Sequence, residues 1–446
     1  MIIIKTIKGF HKAKQLLTRG VTFEFPLTLS ESVAKTTKEA LTPEQIVSHI
    51  IAEVKGEGDK ALLSYTKQLD GAELTSLEVT RSEISAAYDK VDKKLISALK
   101  LAANRIEEFH SACKQKSGAS FLRHGVGRQV HPLDRVGIYV PGGTAAYPST
   151  VLMTAIPARV AGVQEIIVVT PPQKDGAIPA PTLVAADIAR VNRLFKIGGA
   201  QAIAALAFGT ESVPKVDKIC GPGNVFVVTA KRMVYGMVDI DGLQGPSEII
   251  IVADDTANAS FCAADLIAQA EHDPLASTIL ITTSPELAKN IDNEIKTQLA
   301  KLERQTIAAE AMNSRGMIVL VDNLDEAIEL VNIYAPEHLS LMVRNASIYI
   351  QKIRNAGCIF IGDSSPVVLG DYIAGPSHVL PTGGSARFSS PLGVEDFLKV
   401  VNIVALDQAE MKKLGQSAID IAEAEGLKGH AQAIKKRLQL TREELK

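Results

Sequence analysis

Residues 136–143 read Val-Gly-Ile-Tyr-Val-Pro-Gly-Gly, a short apolar run that ends in a glycine turn. An alanine-rich, helix-favouring stretch follows, and the same alternation recurs along the chain. Strands that are apolar along most of their length have both faces covered, as in a parallel sheet flanked by helices. The apolar runs form two series, at 136–140, 165–170, 193–197 and 218–220 and then at 248–253, 277–282, 316–321 and 357–362.

The two series predict two α/β units, joined near residue 247, with a cleft between them. Up to about residue 120 the pattern is helical, with Thr42 as an N-cap before Pro43 and apolar residues at helical spacing over 83–117. From about Val394 the predicted strands stop, and the tail to Lys446 has the pattern of an amphipathic helix. We therefore predict helical N- and C-terminal segments around two parallel sheets.

Composition and charge exclude several classes of function. The chain has 446 residues, of which 46% are hydrophobic and 22% charged, so it is expected to fold compactly. A net charge of -2 provides no field to attract nucleic acid or an anionic membrane. Four widely spaced cysteines, the lack of a signal peptide pattern and the lack of a long apolar run favour the cytoplasm. The expected partner is a small molecule.

The glycine turns of the first series are candidate nucleotide contacts, because ligands of open α/β sheets bind where strands end and helices begin. Neither GGTAAY (142–147) nor GPGNVF (221–226) satisfies the G-x-G-x-x-G pattern of dinucleotide-binding proteins. The turns are equally consistent with simple chain reversals.

Four dispersed side chains have the chemistry of zinc ligands. Gln269 and His272 lie three residues apart at the end of the helical pattern 256–271, which predicts that both lie on one helical face and can converge on one point. Asp371 follows a predicted strand, and His430 lies in the polar tail. Two imidazoles, a carboxylate and an amide oxygen form a plausible nitrogen and oxygen set for Zn²⁺. Taken singly, they are also consistent with a capped helix end, a turn and a surface histidine.

The adjacent pair Glu337-His338 offers two titratable groups of different pKa within one short segment. One can deprotonate water and the other an alcohol near neutral pH. The same segment is also consistent with a helix that begins at Pro336. Ser247 lies at the junction of the two units and can present a hydroxyl to the cleft.

These segments together resemble one family, histidinol dehydrogenase, from about residue 35 to 435. Their order and approximate spacing also match, which is far more specific than any single motif. The resemblance is carried by VGIYVPGGTAAYPSTVLM (136–153), KIGGAQAIAALAFGT (196–210), KICGPGN (218–224), GPSEIIIVAD (245–254), AQAEHD (268–273), YAPEHLSL (334–341), LGDYIAGPSHVLPTGG (369–384) and EGLKGH (425–430).

The resemblance implies a role for each candidate. One Zn²⁺ per subunit is implied, with the ligands Gln269, His272, Asp371 and His430. The implied acid-base pair is Glu337 and His338. Substrate contacts are implied for His338, the zinc ligands, Ser247 and Glu425. The positions implied to contact NAD are Tyr139, Gln201 and Asn224.

The implied reaction oxidises L-histidinol through L-histidinaldehyde to L-histidine with two NAD⁺, the last steps of histidine biosynthesis. The implied fold is aldehyde-dehydrogenase-like, with two Rossmann-like domains, and the implied assembly is a homodimer that exchanges its C-terminal tails. The predicted division begins with an N-terminal segment at 1–34. A first α/β domain at 35–138 and 248–392 carries most of the zinc and catalytic residues, and a second α/β domain at 139–247 binds the nucleotide. A helical dimerisation tail follows at 393–446.

The sequence departs from the family pattern at Gln244 and Gly429, where alanine is usual, and in a short link before Gly245. Two alternatives remain open at this point. One is a member of the same family that oxidises another polar alcohol, and the other is a non-catalytic protein that binds a metabolite.

Overall fold

The computed structural model describes residues 4–19, 41–142, 146–303 and 305–439. Much of the predicted segment 1–34, Gly143 of the first glycine turn, and the end of the tail at 440–446 lie outside the described residues. Contacts divide the chain into two units, one of residues 1–115 and 133–397 and the other of residues 116–132 and 398–446. Both parallel sheets belong to the first unit.

The strands of the described residues are β1 (Lys5–Lys8), β2 (Phe121–Arg123), β3 (Val126–Pro132), β4 (Arg135–Tyr139), β5 (Glu165–Thr170), β6 (Arg193–Lys196), β7 (Lys218–Cys220), β8 (Asp239–Ile240), β9 (Glu248–Ala253), β10 (Ser277–Thr282), β11 (Met317–Leu320), β12 (His338–Met342), β13 (Cys358–Ile361) and β14 (Leu398–Val404).

The α-helices are α1 (Phe10–Leu17), α2 (Pro43–Glu57), α3 (Asp59–Tyr65), α4 (Arg81–Lys90), α5 (Lys93–Lys116), α6 (Pro148–Ala161), α7 (Ala180–Ile188), α8 (Gly199–Phe208), α9 (Val225–Val234), α10 (Ala259–Ala270), α11 (Pro285–Leu299), α12 (Gln305–Arg315), α13 (Leu324–Tyr334), α14 (Ser347–Ile350), α15 (Val367–Tyr372), α16 (Gln408–Ala424) and α17 (Lys428–Gln439).

A six-stranded parallel sheet has the order β1-β11-β10-β9-β12-β13. Alternate residues of its central strand β9 enter two separate cores, Ile249 on one face and Ile250 on the other. Helices α10, α11 and α12 cover the first face, and α1 and α13 cover the second. This arrangement explains why the strands of the second series are apolar at nearly every position.

A five-stranded parallel sheet has the order β6-β5-β4-β7-β8. Its core includes Ile167 and Phe195 of the sheet, packed with α8, α9 and the apolar face of α2. Helix α6 contacts β4 and β5. The turn after β7 requires glycine at Gly221, because φ is 111° and a Cβ there would lie 2.1 Å from the backbone oxygen of Tyr139.

The second unit contains an antiparallel sheet of order β14-β3-β2 and the helices α16 and α17, which pack against each other. Ile419 and Ala431 lie in the small core between the two helices. The prediction that strands stop near Val394 is wrong at one point, because Leu398–Val404 forms β14 by pairing along the whole of β3.

The predicted two-sheet α/β architecture is confirmed, and so is the N-cap at Thr42, which forms a capping box with Gln45. Strand β12 does not appear among the predicted strands, and it replaces the alternative of a helix beginning at Pro336. Contacts differ from the predicted division in several places, and β4, for example, pairs in the five-stranded sheet although 135–138 was assigned to the domain with 248–392. Strand β1, from the predicted N-terminal segment, joins the six-stranded sheet. Helix α2, assigned to the domain with 248–392, packs in the core of the five-stranded sheet instead.

Among the described helices, none has the length and apolar character that a membrane span requires.

A buried ion pair joins helix α9 to the chain that follows β8, and both of its members bind the turn after β7. Lys231 and Asp241 are in direct contact, with side chains 0% and 1% exposed. The Lys231 ammonium also donates to the backbone oxygen of Gly221 at 3.0 Å and to Gln244 Oε1 at 3.0 Å, while Asp241 Oδ2 accepts from the Gly221 amide at 2.7 Å. Both charged groups of this pair therefore form hydrogen bonds to other protein groups, as a buried pair requires.

We expect the substitution Lys231→Met to lower the free energy of unfolding by about 3–5 kcal/mol, because it leaves the Asp241 carboxylate buried without its cation. Urea unfolding measures the loss. The matched control is Lys296→Met, which breaks an exposed ion pair with Asp292 one helical turn away and should cost about 0.3–0.5 kcal/mol. Equal losses in the two variants would contradict this role for Lys231.

Candidate active site

The chain enters β12 through a turn that sets the position of Glu337 and His338. Helix α13 ends at Tyr334, and its C-cap residue Ala335 is buried and lies in the left-handed region at φ 54°. Such a conformation is unfavourable for alanine and persists only where packing imposes it. Pro336 and Glu337 follow, and His338 then pairs in register between Ile249 of β9 and Cys358 of β13.

One residue, Glu248, holds both members of the pair through its backbone. Its amide donates to Glu337 Oε2 at 2.8 Å. Its carbonyl oxygen lies 3.2 Å from His338 Nδ1, and because a carbonyl only accepts, Nδ1 carries the proton in this contact. Glu337 is 7% exposed and His338 4% exposed. The pair is therefore oriented by main-chain groups and shielded from water.

The second ring nitrogen of His338 has no hydrogen-bond partner among the described residues, although it is buried. It lies 3.5 Å from Asp371 Oδ1, and Nδ1 lies 3.5 Å from Glu337 Oε2. Burial on its own lowers the pKa of His338, but the charges of Glu337 and Asp371 outweigh it and raise the pKa to about 10. The two carboxylates therefore control the proton affinity of this imidazole.

Asp371 lies near three histidines. Burial on its own raises the pKa of the Asp371 carboxyl, but interactions with His338, His378 and His272 hold the pKa below its usual value. His378 donates from Nδ1 to the backbone oxygen of Asp371 at 2.8 Å. Asp371 therefore lies in the same site as Glu337 and His338, and its carboxyl interacts electrostatically with His272.

Gln269 lies near the end of α10 and is 2% exposed. His272 follows just beyond the end of the helix, so the predicted placement of both residues on one helical face is replaced by a helix end and a turn. The buried amide nitrogen of Gln269 has no hydrogen-bond partner among the described residues. An uncommitted buried amide at a helix end is available to a ligand.

The residues predicted to bind zinc have suitable donor chemistry but are divided between the two units. Gln269, His272 and Asp371 belong to the first unit, and their donor atoms are of the types that Zn²⁺ binds. His430, in α17, and Glu425, at the end of α16, belong to the second unit and are exposed. Within the ranges that the structure describes, no group of three or more His, Cys, Asp or Glu residues is arranged to hold a metal ion. The residues present in the first unit fit part of a zinc site.

The predicted nucleotide contacts follow three strands of the five-stranded sheet. Tyr139 ends β4, and its hydroxyl accepts from the Gly199 amide at 3.2 Å. Gln201 lies in the first turn of α8, with a buried Oε1 that has no hydrogen-bond partner among the described residues. Asn224 caps α9 by accepting from the amides of Phe226 and Val227. All three lie at the carboxyl edge of this sheet.

The loop from β8 to β9 explains one departure from the family pattern. Gln244 accepts from the buried Lys231 ammonium, a contact that alanine cannot make. The Gly245 amide donates to Thr382 Oγ1 at 2.6 Å, and Ser247 directly precedes β9. Ser247 is partly exposed beside Glu248.

Sequence reasoning assigned no role to Glu248 or Arg19. The Arg19 guanidinium lies 2.7 Å from Glu248 Oε1, and both side chains are largely buried. No sequence signal links two residues so far apart along the chain. A glutamate at the first position of an apolar strand was the only available sign, since buried carboxylates require a partner.

Glycine turns at the carboxyl edge of one parallel sheet and a buried glutamate-histidine pair at the amino edge of the other are features of a two-sheet α/β enzyme. The sequence profile of the histidinol dehydrogenase family matches residues 33–438. The chain belongs to the histidinol dehydrogenase family, as the sequence resemblance predicts.

Individual relatives agree with this assignment. Over 439 residues the chain is 53% identical to a histidinol dehydrogenase of Dehalococcoides mccartyi strain CBDB1, and the match covers 98% of this chain and 100% of that protein. A histidinol dehydrogenase of Clostridium acetobutylicum is 54% identical over 395 residues, covering 88% of this chain and 92% of that one. The crystal structure of histidinol dehydrogenase from Elizabethkingia anophelis matches with a TM-score of 0.90 at 36% identity, covering 98% and 99% of the two chains.

Proposed function

We propose that this protein oxidises L-histidinol through L-histidinaldehyde to L-histidine with two NAD⁺, the last steps of histidine biosynthesis. The observation that carries the proposal is the buried pair Glu337 and His338, held by the backbone of Glu248 in a chain of this family. Two groups with separate anchors suit two successive oxidations, one of an alcohol and one of an aldehyde hydrate.

His338 is the base for the alcohol. Its Nδ1 proton is engaged with the Glu248 carbonyl, so in the neutral ring the unprotonated nitrogen is Nε2, which has no partner among the described residues. That nitrogen takes the hydroxyl proton of the substrate while hydride leaves the carbinol carbon for NAD⁺.

Glu337 is the base for the second step. Its Oε2 accepts from the Glu248 amide, which keeps the carboxylate oriented. The other carboxylate oxygen takes a proton from the water that attacks the aldehyde carbon. The hydrate then gives its hydride to a second NAD⁺, and the product is a carboxylate.

Gln269, His272 and Asp371 would hold a zinc ion, with His430 supplied by a second copy of the chain in a tail-exchanged homodimer. Zinc bound there would supply orientation, since histidinol carries an amine and an imidazole that are good zinc donors. With Asp371 engaged as a ligand, His338 would lose part of the negative charge that raises its pKa, which would favour the neutral base. Ser247 and Glu425 would contact the substrate.

Tyr139, Gln201 and Asn224 would contact the nucleotide. Support comes from their position after β4, β6 and β7, where helices begin at the carboxyl edge of a parallel sheet. The buried Oε1 of Gln201 is free to accept from a cofactor hydroxyl or amide.

The decisive test of the function is stoichiometric. Purified protein given limiting histidinol and excess NAD⁺ should form two NADH for each histidinol consumed, and histidine should be the product by chromatography. A yield of one NADH per histidinol would mean that the protein catalyses only the alcohol oxidation. Turnover of another polar alcohol without turnover of histidinol would contradict the proposed substrate.

The division of labour is tested with Glu337→Gln. The glutamine keeps an oxygen for the Glu248 amide but is no base, so oxidation of added histidinaldehyde should fall about 10²–10⁴-fold and oxidation of histidinol to the aldehyde about tenfold or less. Stopped-flow measurement of NADH separates the steps. Glu329→Gln, an exposed change on the preceding helix, is the control and should leave both rates unchanged. Equal loss in the two steps would refute this assignment.

Metal removal tests the proposed zinc site. Dialysis against a chelator should lower the turnover rate 100-fold or more, because substrate orientation is lost. Added Zn²⁺ should restore the rate. Elemental analysis should find one zinc per subunit, and His272→Ala should reduce that content. Full activity after verified removal of zinc would contradict the orienting role.

A further inference from the structure

We infer that Arg19 is a positioning residue for the acid-base pair, acting through its ion pair with Glu248. The inference rests on the proposed function for the roles of Glu337 and His338, but the contacts that carry it are independent of the substrate. It gives the N-terminal segment, to which sequence reasoning assigned no role, a task at the site.

Arg19 follows α1 and contacts both chain segments that lead to the site. Its Nη1 lies 2.7 Å from Glu248 Oε1, and its guanidinium carbon lies 3.7 Å from the centre of the Tyr334 ring. Tyr334 is the last residue of α13, three residues before Glu337. Arg19 is therefore packed between the start of β9 and the entry to β12, where a planar guanidinium can pair and stack at once.

Glu248 transmits this contact to the pair. Its carboxylate is held by Arg19 and by the Gly383 amide at 3.3 Å from Oε1, while its amide and carbonyl hold Glu337 and His338. The side chain and both backbone groups of one residue are thus all engaged. A shift of Glu248 moves the anchor of each base, and displacements of about 1 Å at a reacting centre can lower rates about 100-fold.

Removal of Arg19 leaves the buried carboxylate of Glu248 without a counter-charge. Burial raises the pKa of the Glu248 carboxyl even beside Arg19. The interactions of the Arg19 guanidinium are mainly those with Glu248 and the Tyr334 ring. Its Nε and Nη2 have no hydrogen-bond partner in the part of the chain that the structure describes. A purely structural ion pair would affect stability alone, whereas a positioning pair affects kcat in fully folded protein.

The experiment compares Arg19→Met, Arg19→Lys and the control Lys14→Met in the full-length, zinc-loaded protein. Lys14 belongs to α1 and forms an exposed ion pair with Glu329 of α13, so its loss removes a cation from the same segment and the same helix contact. At a temperature where each variant is fully folded by circular dichroism, Arg19→Met should lower kcat for histidinol 10- to 100-fold with KM changed less than threefold. Arg19→Lys should recover part of the loss, and Lys14→Met should match the parent.

Amide hydrogen exchange gives a readout that needs no turnover. The Glu248 amide, which donates to Glu337, should exchange at least tenfold faster in Arg19→Met, while the Ile281 amide in β10 stays as in the parent. A kcat within twofold of the parent, or unchanged exchange at Glu248, would overturn the inference. If Arg19→Met does not fold, Arg19→Lys decides, with a kcat equal to that of the parent as the contradicting result. If the parent itself does not oxidise histidinol, the proposed function fails and the exchange measurement alone tests the role of Arg19.

Discussion

The parallel pairing of β9 with β12 is the constraint on which the candidate active site depends. In that register His338 lies opposite Ile249, and the backbone of Glu248 meets both Glu337 and His338. A slip of one residue would turn the side chains of β12 to the opposite face and separate the pair from its anchors. The register is strongly specified, because both faces of β9 are buried in separate cores. The precision of the site therefore comes from the core of the sheet.

The two sheets present their candidate site residues at opposite edges. In the five-stranded sheet, Tyr139, Gln201 and Asn224 lie at the carboxyl edge, where helices begin. In the six-stranded sheet, Glu248 and His338 are the first residues of their strands, at the amino edge. A rule that places ligands at the carboxyl ends of strands describes the first sheet only. The proposed acid-base chemistry in the second would rely on backbone anchors that strand pairing supplies.

Sequence patterns predicted much of the fold because long apolar runs leave few alternatives. They missed β12, since His338 and Ser340 interrupt its short apolar run and only its position between β9 and β13 makes it a strand. They also missed β14, whose exposed, mixed sequence is organised by pairing with β3. The side-chain types of Gln269, His272 and Asp371 were readable from the sequence. The contact between Arg19 and Glu248 was not, because it depends on tertiary packing between distant segments.

The arrangement around His338 differs from a dyad in which a carboxylate holds the proton-bearing ring nitrogen. Here a carbonyl oxygen is the partner of Nδ1, so the ring is oriented by a dipole that no change of pH removes. The carboxylate of Asp371 instead lies on the side of Nε2, at 3.5 Å. Orientation and proton affinity are thus set by different groups. In the proposed zinc site, ligation of Asp371 would change the proton affinity of the imidazole without releasing the ring from its anchor, and this separation would allow His338 to act as the proposed base beside two carboxylates.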